Sequence, residues 1–175
     1  MSKGLYQNNS ILLREKDYKK KSPKKGSSAL AALQRMCSIR EVCTFDARQK
    51  LQRMEIEGEE ADVIIASLTK DKFIDDARYA SAFVRDKSRL AGWGSAKIKY
   101  ALRLKKVSDE IITESLTQIG DKEQREQLLK ILTVKMKSGK SESDGNKLYA
   151  KLMRFALSRG FSYETASWAV TKIIG

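Results

Sequence analysis

Six cations between positions 78 and 106 have the spacing to act as one surface. Counted at about 100° per residue from Asp76, Arg78, Arg85 and Arg89 fall on one side of a helix. Ala77, Ala80, Phe83, Val84, Leu90 and Ala91 fall on the other. In the next helical stretch Lys99, Arg103 and Lys106 oppose Ile98, Ala101 and Leu102. Rows of guanidinium and ammonium groups offer electrostatic chemistry, pairing with phosphates or carboxylates, and make no bonds. The bland alternative is a solvated helix face, and for Arg78 a structural salt bridge within its own unit. Two neighbouring stripes favour a polyanion-facing surface. Lys87 falls on the apolar side near the helix end, where its stem can snorkel.

Residues suited to catalysis are scarce. The chain has no histidine, and Cys37 and Cys43 form no Cys-x-x-Cys pair. A disulfide between them is conceivable, but buried thiols acting as small hydrophobes are the simpler expectation. Asp75 and Asp76 stand together at a helix start, where capping accounts for them without a metal. Gly92-Trp93-Gly94-Ser95-Ala96-Lys97 is too short for a phosphate loop and follows no strand. Trp93 is expected to plug that corner rather than to stand exposed. We therefore expect no enzyme, no cofactor and no metal.

The stripes need helices to carry them. Of 175 residues, 41% are hydrophobic and 33% charged, with 10 glycines and one proline, a composition that points to an all-α protein. The net charge is +13 and the pI about 9.7, which favours an anionic partner. No apolar run approaches the roughly 20 residues a membrane helix needs, and no signal-peptide order opens the chain, so a cytoplasmic, reduced protein is expected. The segments 1–26, 27–72, 73–120 and 121–175 carry net charges of +6, −1, +3 and +5. The first is expected to be a disordered basic arm, either solubilising or adding non-specific phosphate affinity.

From Ser27 helical patterns follow one another. Ala29 to Met36 predicts a short helix ending near Ser38, and Thr44 is placed to cap the next, with Leu51 and Met54 inward. Ala61, Ile64, Ile65 and Leu68 mark a third. Asp75 is the expected cap before Asp76, with Ile74 and Tyr79 as a hydrophobic staple. Ser108 is the cap after the basic helix, with Val107 and Ile112 as its staple. Residues 97–119 laid on 151–173 repeat cap, staple and inward positions together: Val107 on Phe161, Ser108 on Ser162, Leu116 on Val170. Shifting back instead puts Leu51 under Leu102 and Ile56 under Val107, a weaker match. The pattern implies three units of three helices, near 27–72, 73–120 and 121–175, forming an elongated array. The stretch 138–146 is the clearest flexible loop.

The stretch from Phe73 to Val107 resembles the RecX family, bacterial regulatory proteins that bind the RecA recombinase. Ile74, Asp75, Asp76, Arg78, Tyr79, Ala80, Phe83, Val84 and Arg85 match the first part of the family pattern; Gly94, Lys97, Ile98 and Leu102 fit the second. Lys106-Val107 departs by lacking the family's glycine. The similarity runs over roughly residues 30–175, strongest in the middle. It implies tandem three-helix, helix-turn-helix-like repeats and a modulator, with no catalysis of its own, that lies in the groove of the RecA–DNA filament. Suppression of ATP hydrolysis, strand exchange and co-protease activity is implied with it. Arg78, Arg85, Arg89, Lys99, Arg103 and Lys106 are then the expected contacts to RecA or to DNA, bound without sequence preference by a monomer. A direct DNA-binding helix-turn-helix regulator or architectural protein is the alternative. Its weakness is that the stripes lack the Asn, Gln and Ser usual in base readout. A metal-dependent nuclease is weaker still.

Overall fold

The structure is a computed structural model and describes residues 23–138 and 144–175. The expected arm lies outside the described residues up to position 22, as does most of the expected loop near 138–146. Among the described residues there are nine helices and no strand: α1 Pro23–Ile39, α2 Thr44–Arg53, α3 Gly58–Lys70, α4 Asp76–Arg89, α5 Ser95–Leu104, α6 Asp109–Leu116, α7 Asp121–Ser138, α8 Gly145–Ser158 and α9 Tyr163–Ile174. They form three three-helix repeats, each around its own core. Leu33, Leu51 and Leu68 centre the first core, Ile98, Leu102 and Ile112 the second, and Leu128, Leu132 and Leu152 the third.

The repeats share a corner, and its backbone explains why. After the second helix of each, one residue takes a left-handed conformation: Glu55 at φ 58°, Lys106 at φ 55° and Gly160 at φ 85°. The next residue turns inward and donates its N–H back into the helix. Ile56 bonds the Leu51 carbonyl at 3.0 Å, Val107 that of Leu102 at 3.2 Å and Phe161 that of Ala156 at 3.3 Å. This is the helix-ending arrangement that satisfies orphan carbonyls and buries an apolar residue just beyond. The weaker of the two sequence superpositions is therefore as real in the backbone as the stronger. Lys106 and Gly160 hold the same corner position, and the lysine adopts the conformation that glycine takes without cost.

Caps hold where a side chain can reach its own helix. Asp75 Oδ1 accepts from the N–H groups of Ala77 and Arg78 at 3.0 Å each, Ser108 Oγ from Ile111 at 3.4 Å, and Ser162 Oγ from Thr165 at 3.1 Å. Several expectations fail. Helix α1 begins at Pro23, where proline's missing N–H has no partner to lose. Thr44 caps nothing; its own N–H is capped from another repeat by Asp76 Oδ1 at 2.7 Å. Ile74 and Tyr79 do not share a core, because Ile74 packs into the first and Tyr79 into the second. Ala77 is exposed, and Leu90, at the α4 C-cap, is 86% exposed rather than inward.

Candidate interaction surface

Arg78 is spent on structure. Its Nε lies 2.8 and 2.9 Å from the two oxygens of Glu41, and its terminal nitrogens donate to the carbonyls of Lys72 and Phe73 at 3.2–3.3 Å. One guanidinium thus binds the segment before α2 and the α3–α4 corner to α4. This is a structural salt bridge, but its partner belongs to the neighbouring repeat and not to Arg78's own unit. Lys106 also faces that neighbour, with Nζ 5.6 Å from the centre of the Phe45 ring. Beside it Lys105 pairs with Asp46 at 2.6 Å.

Arg89 points the other way along the chain, its Nε 3.4 Å from Glu123 on α7. Arg103 makes a forked contact to Asp109, 2.7 and 2.8 Å, that holds α5 against the start of α6. That contact raises the Arg103 guanidinium and lowers the Asp109 carboxyl from their usual ranges. Both groups are solvated, so the pair contributes little to stability. Arg85 is exposed and, among the described residues, pairs with its chain neighbour Asp86 at 3.7 Å. Lys99 is half-buried on α5, where its charge helps to lower Asp109. Hence internal partners divide the two stripes. Arg78 and Lys106 serve the junction of repeats one and two, Arg89 that of two and three, and Arg103 its own repeat. Arg85 and Lys99 are left with the fewest internal ties.

Lys87 snorkels as expected, its Nζ 5.2 Å from the centre of Trp93 and 5.3 Å from that of Phe83. Lys97 approaches the same indole at 4.8 Å, a contact that spacing did not suggest. Trp93 packs on the second core as the corner plug, and the two ammonium groups stabilise it by cation–π attraction. Cys37 and Cys43 are free thiols. Cys43 is buried in the second core, and burial foremost raises both thiols above their usual range. Among the described residues no group of three or more Cys, Asp or Glu side chains could hold a metal ion, and no helix is long and apolar enough to cross a membrane.

The glycine corner carries a role that sequence reasoning missed. Gly94 donates its N–H to the Arg159 carbonyl at 2.8 Å, and Ala96 donates to the Gly160 carbonyl at 3.1 Å. A Cβ on Gly94 would lie 2.3 Å from the Gly160 oxygen, and one on Gly160 would lie 2.4 Å from Lys97. Repeats two and three therefore meet backbone to backbone. Arg159 adds a bond to the Ala91 carbonyl at 2.8 Å, Ser95 one to Gln124 at 2.9 Å, and Gln127 one to the carbonyl of buried Ser88. The available signal was the second glycine of the corner: Gly92 takes its left-handed position at φ 63°, so the turn does not require a glycine at Gly94, at φ −81°.

Comparison with known proteins agrees with this organisation. A family model described as RecX, second three-helix domain, matches residues 75–116, and one described as RecX, third three-helix domain, matches 122–170. The chain is 35% identical over 131 residues to Regulatory protein RecX of Clostridium botulinum (strain Eklund 17B / Type B), covering 73% of this chain and 61% of that protein. It is 38% identical over 112 residues to Regulatory protein RecX of Clostridium tetani (strain Massachusetts / E88), covering 63% and 51%. It thus spans between half and two thirds of the length of these relatives. The fold is similar to the crystal structure of RecX from Lactobacillus salivarius, with a TM-score of 0.70 at 23% identity over 86% of this chain and 97% of that one. A second solved structure, of regulatory protein RecX, gives 0.70 at 22% identity over 81% and 69%. With the two domain models spanning just over half of its residues and a relative 35% identical over 73% of it, the chain belongs to the RecX family.

Proposed function

We propose that the protein binds the RecA–DNA filament and restrains it, without chemistry of its own. The observation that carries this is the family membership, with three three-helix repeats, the second and third of them basic, joined so that Arg85 and Lys99 have the fewest internal partners. Contacts from several repeats to adjacent filament subunits would each be weak. Linked along one chain they gain affinity through effective concentration. Binding one filament state better than others shifts the filament toward it, which slows ATP hydrolysis, strand exchange and co-protease action together. Residues 27–72, 73–120 and 121–175 are the three units in this reading. Arg85 and Lys99, with the solvated edges of Arg89, Arg103 and Lys106, form the contact face to RecA or to phosphate. Arg78 contributes by fixing the first unit. The protein works as a cytoplasmic monomer.

The test is inhibition of RecA ATP hydrolysis on single-stranded DNA by the wild type and by Arg85→Glu combined with Lys99→Glu. Neither side chain holds two repeats together, so helical circular dichroism should be unchanged. Loss of inhibition by the double variant supports the contact face, and full inhibition moves it elsewhere. Sequence-selective duplex binding without RecA would replace this reading with a direct DNA-binding regulator.

A further inference from the structure

Between the end of α4 and the third repeat lies a groove of about 500 Å3. Its floor is apolar, made by Ala91, Ile131 and Phe155, and two large hydrophobic side chains flank it in open solvent, Leu90 at 86% exposure and Val134 at 67%. Scattered exposed apolar residues are ordinary; two that border one concave apolar floor are not. The rim is cationic. Arg89, Lys130, Lys135 and Arg159 line it, and no acid is among the lining residues. Glu123, which meets Arg89 at 3.4 Å, is the nearby acid that tempers this field.

The lining decides between two classes of anion. A nucleic-acid strand needs cations and a free aromatic face for stacking. Here two cations already stand over the Phe155 ring, Lys135 Nζ at 5.3 Å and the Arg159 guanidinium at 5.1 Å from its centre. Leu90 and Val134 offer a phosphate backbone nothing. An amphipathic helical segment uses both parts of the site, setting apolar anchors between the flanking side chains and carboxylates toward the rim.

We propose that this groove docks an acidic amphipathic segment of a protein partner. The proposal rests on the reading of the chain as a protein-binding regulator, and adds the chemistry of one contact. The probe is a labelled peptide of roughly four helical turns, with Leu at helical spacing and Glu elsewhere, followed by fluorescence anisotropy on the full chain. It should bind at least tenfold more tightly than a control of equal charge with Ala for Leu. Val134→Glu, an exposed substitution with helical circular dichroism unchanged, should weaken binding at least tenfold, and a single-stranded oligonucleotide should not compete. Absence of binding, equal binding of the two peptides, indifference to Val134→Glu, or displacement by the oligonucleotide overturns the proposal. The same preparation is assayed for inhibition of filament ATP hydrolysis. Inhibition without peptide binding leaves the regulator reading standing and removes the groove; groove-dependent peptide binding without inhibition does the reverse.

Discussion

The two junctions between repeats solve one problem by different physics. Repeats one and two are held by side chains: the Arg78 fork on Glu41, the Lys105–Asp46 pair, Asp76 capping the Thr44 N–H, and Cys43 inserted into the second core. Repeats two and three meet backbone to backbone, with Gly94 and Gly160 in contact and N–H groups of α5 and its N-cap donating to carbonyls beside α8, and side chains such as Arg159 and Gln127 add to that contact. Partly exposed ion pairs are screened by salt and tolerate rearrangement. A glycine-to-glycine contact has no rotamer to adjust. The second junction should therefore set one fixed angle, while the first should loosen as ionic strength rises.

The largest expected effect comes from breaking the second junction. Gly94→Val places atoms where the Gly160 carbonyl lies and should cost about 3 kcal/mol, seen as a lower denaturation midpoint at any salt concentration. Arg78→Ala removes the forked contact of the first junction and should cost about 2 kcal/mol. Because one ammonium cannot serve the Glu41 carboxylate and the Lys72 and Phe73 carbonyls at once, Arg78→Lys should recover only part of that. Its deficit should shrink as salt is raised, whereas that of Gly94→Val should not; equal salt dependence would erase the contrast.

Asp75 tests a cap inside one repeat, and Asp75→Ala should cost about 1 kcal/mol. Hydrogen bonds, foremost from the Arg78 N–H, hold the Asp75 carboxyl below its usual range in the folded chain. A depressed folded value means stability that is present above the unfolded pKa of about 3.9 and lost as pH falls through the folded one. The difference between variant and wild type should thus vanish in acid. Smallest and opposite in sign, Lys106→Gly relieves a left-handed lysine and should stabilise by up to about 1 kcal/mol. The corresponding Gly160→Ala should destabilise, since a Cβ there would meet Lys97.

What the sequence made legible was local. Asp75, Ser108 and Ser162 cap helices that start one residue later, and Ala61, Ile64, Ile65 and Leu68 point inward because a helical period puts them there. Contacts between repeats were not legible. Arg78 meets an acid 37 residues away, and Asp76 caps an N–H 32 residues upstream. No periodicity encodes such pairs. The same gap misplaced Ile74, which sits beside α4 in sequence yet finishes the core of the preceding repeat. It also hid the internal partners of the two stripes, because a helical wheel records direction but not neighbours. Arg78, Arg89 and Lys106 were claimed by adjoining repeats that the wheel does not contain.

The central claim is that the protein restrains the RecA filament by binding to it. The direct measurement adds the wild-type chain, substoichiometric to RecA, to filaments preassembled on single-stranded DNA and follows ATP hydrolysis across a range of salt. The account predicts a fall in turnover that saturates well below one protein per RecA subunit and weakens as salt rises. Turnover unchanged at every salt concentration would contradict it.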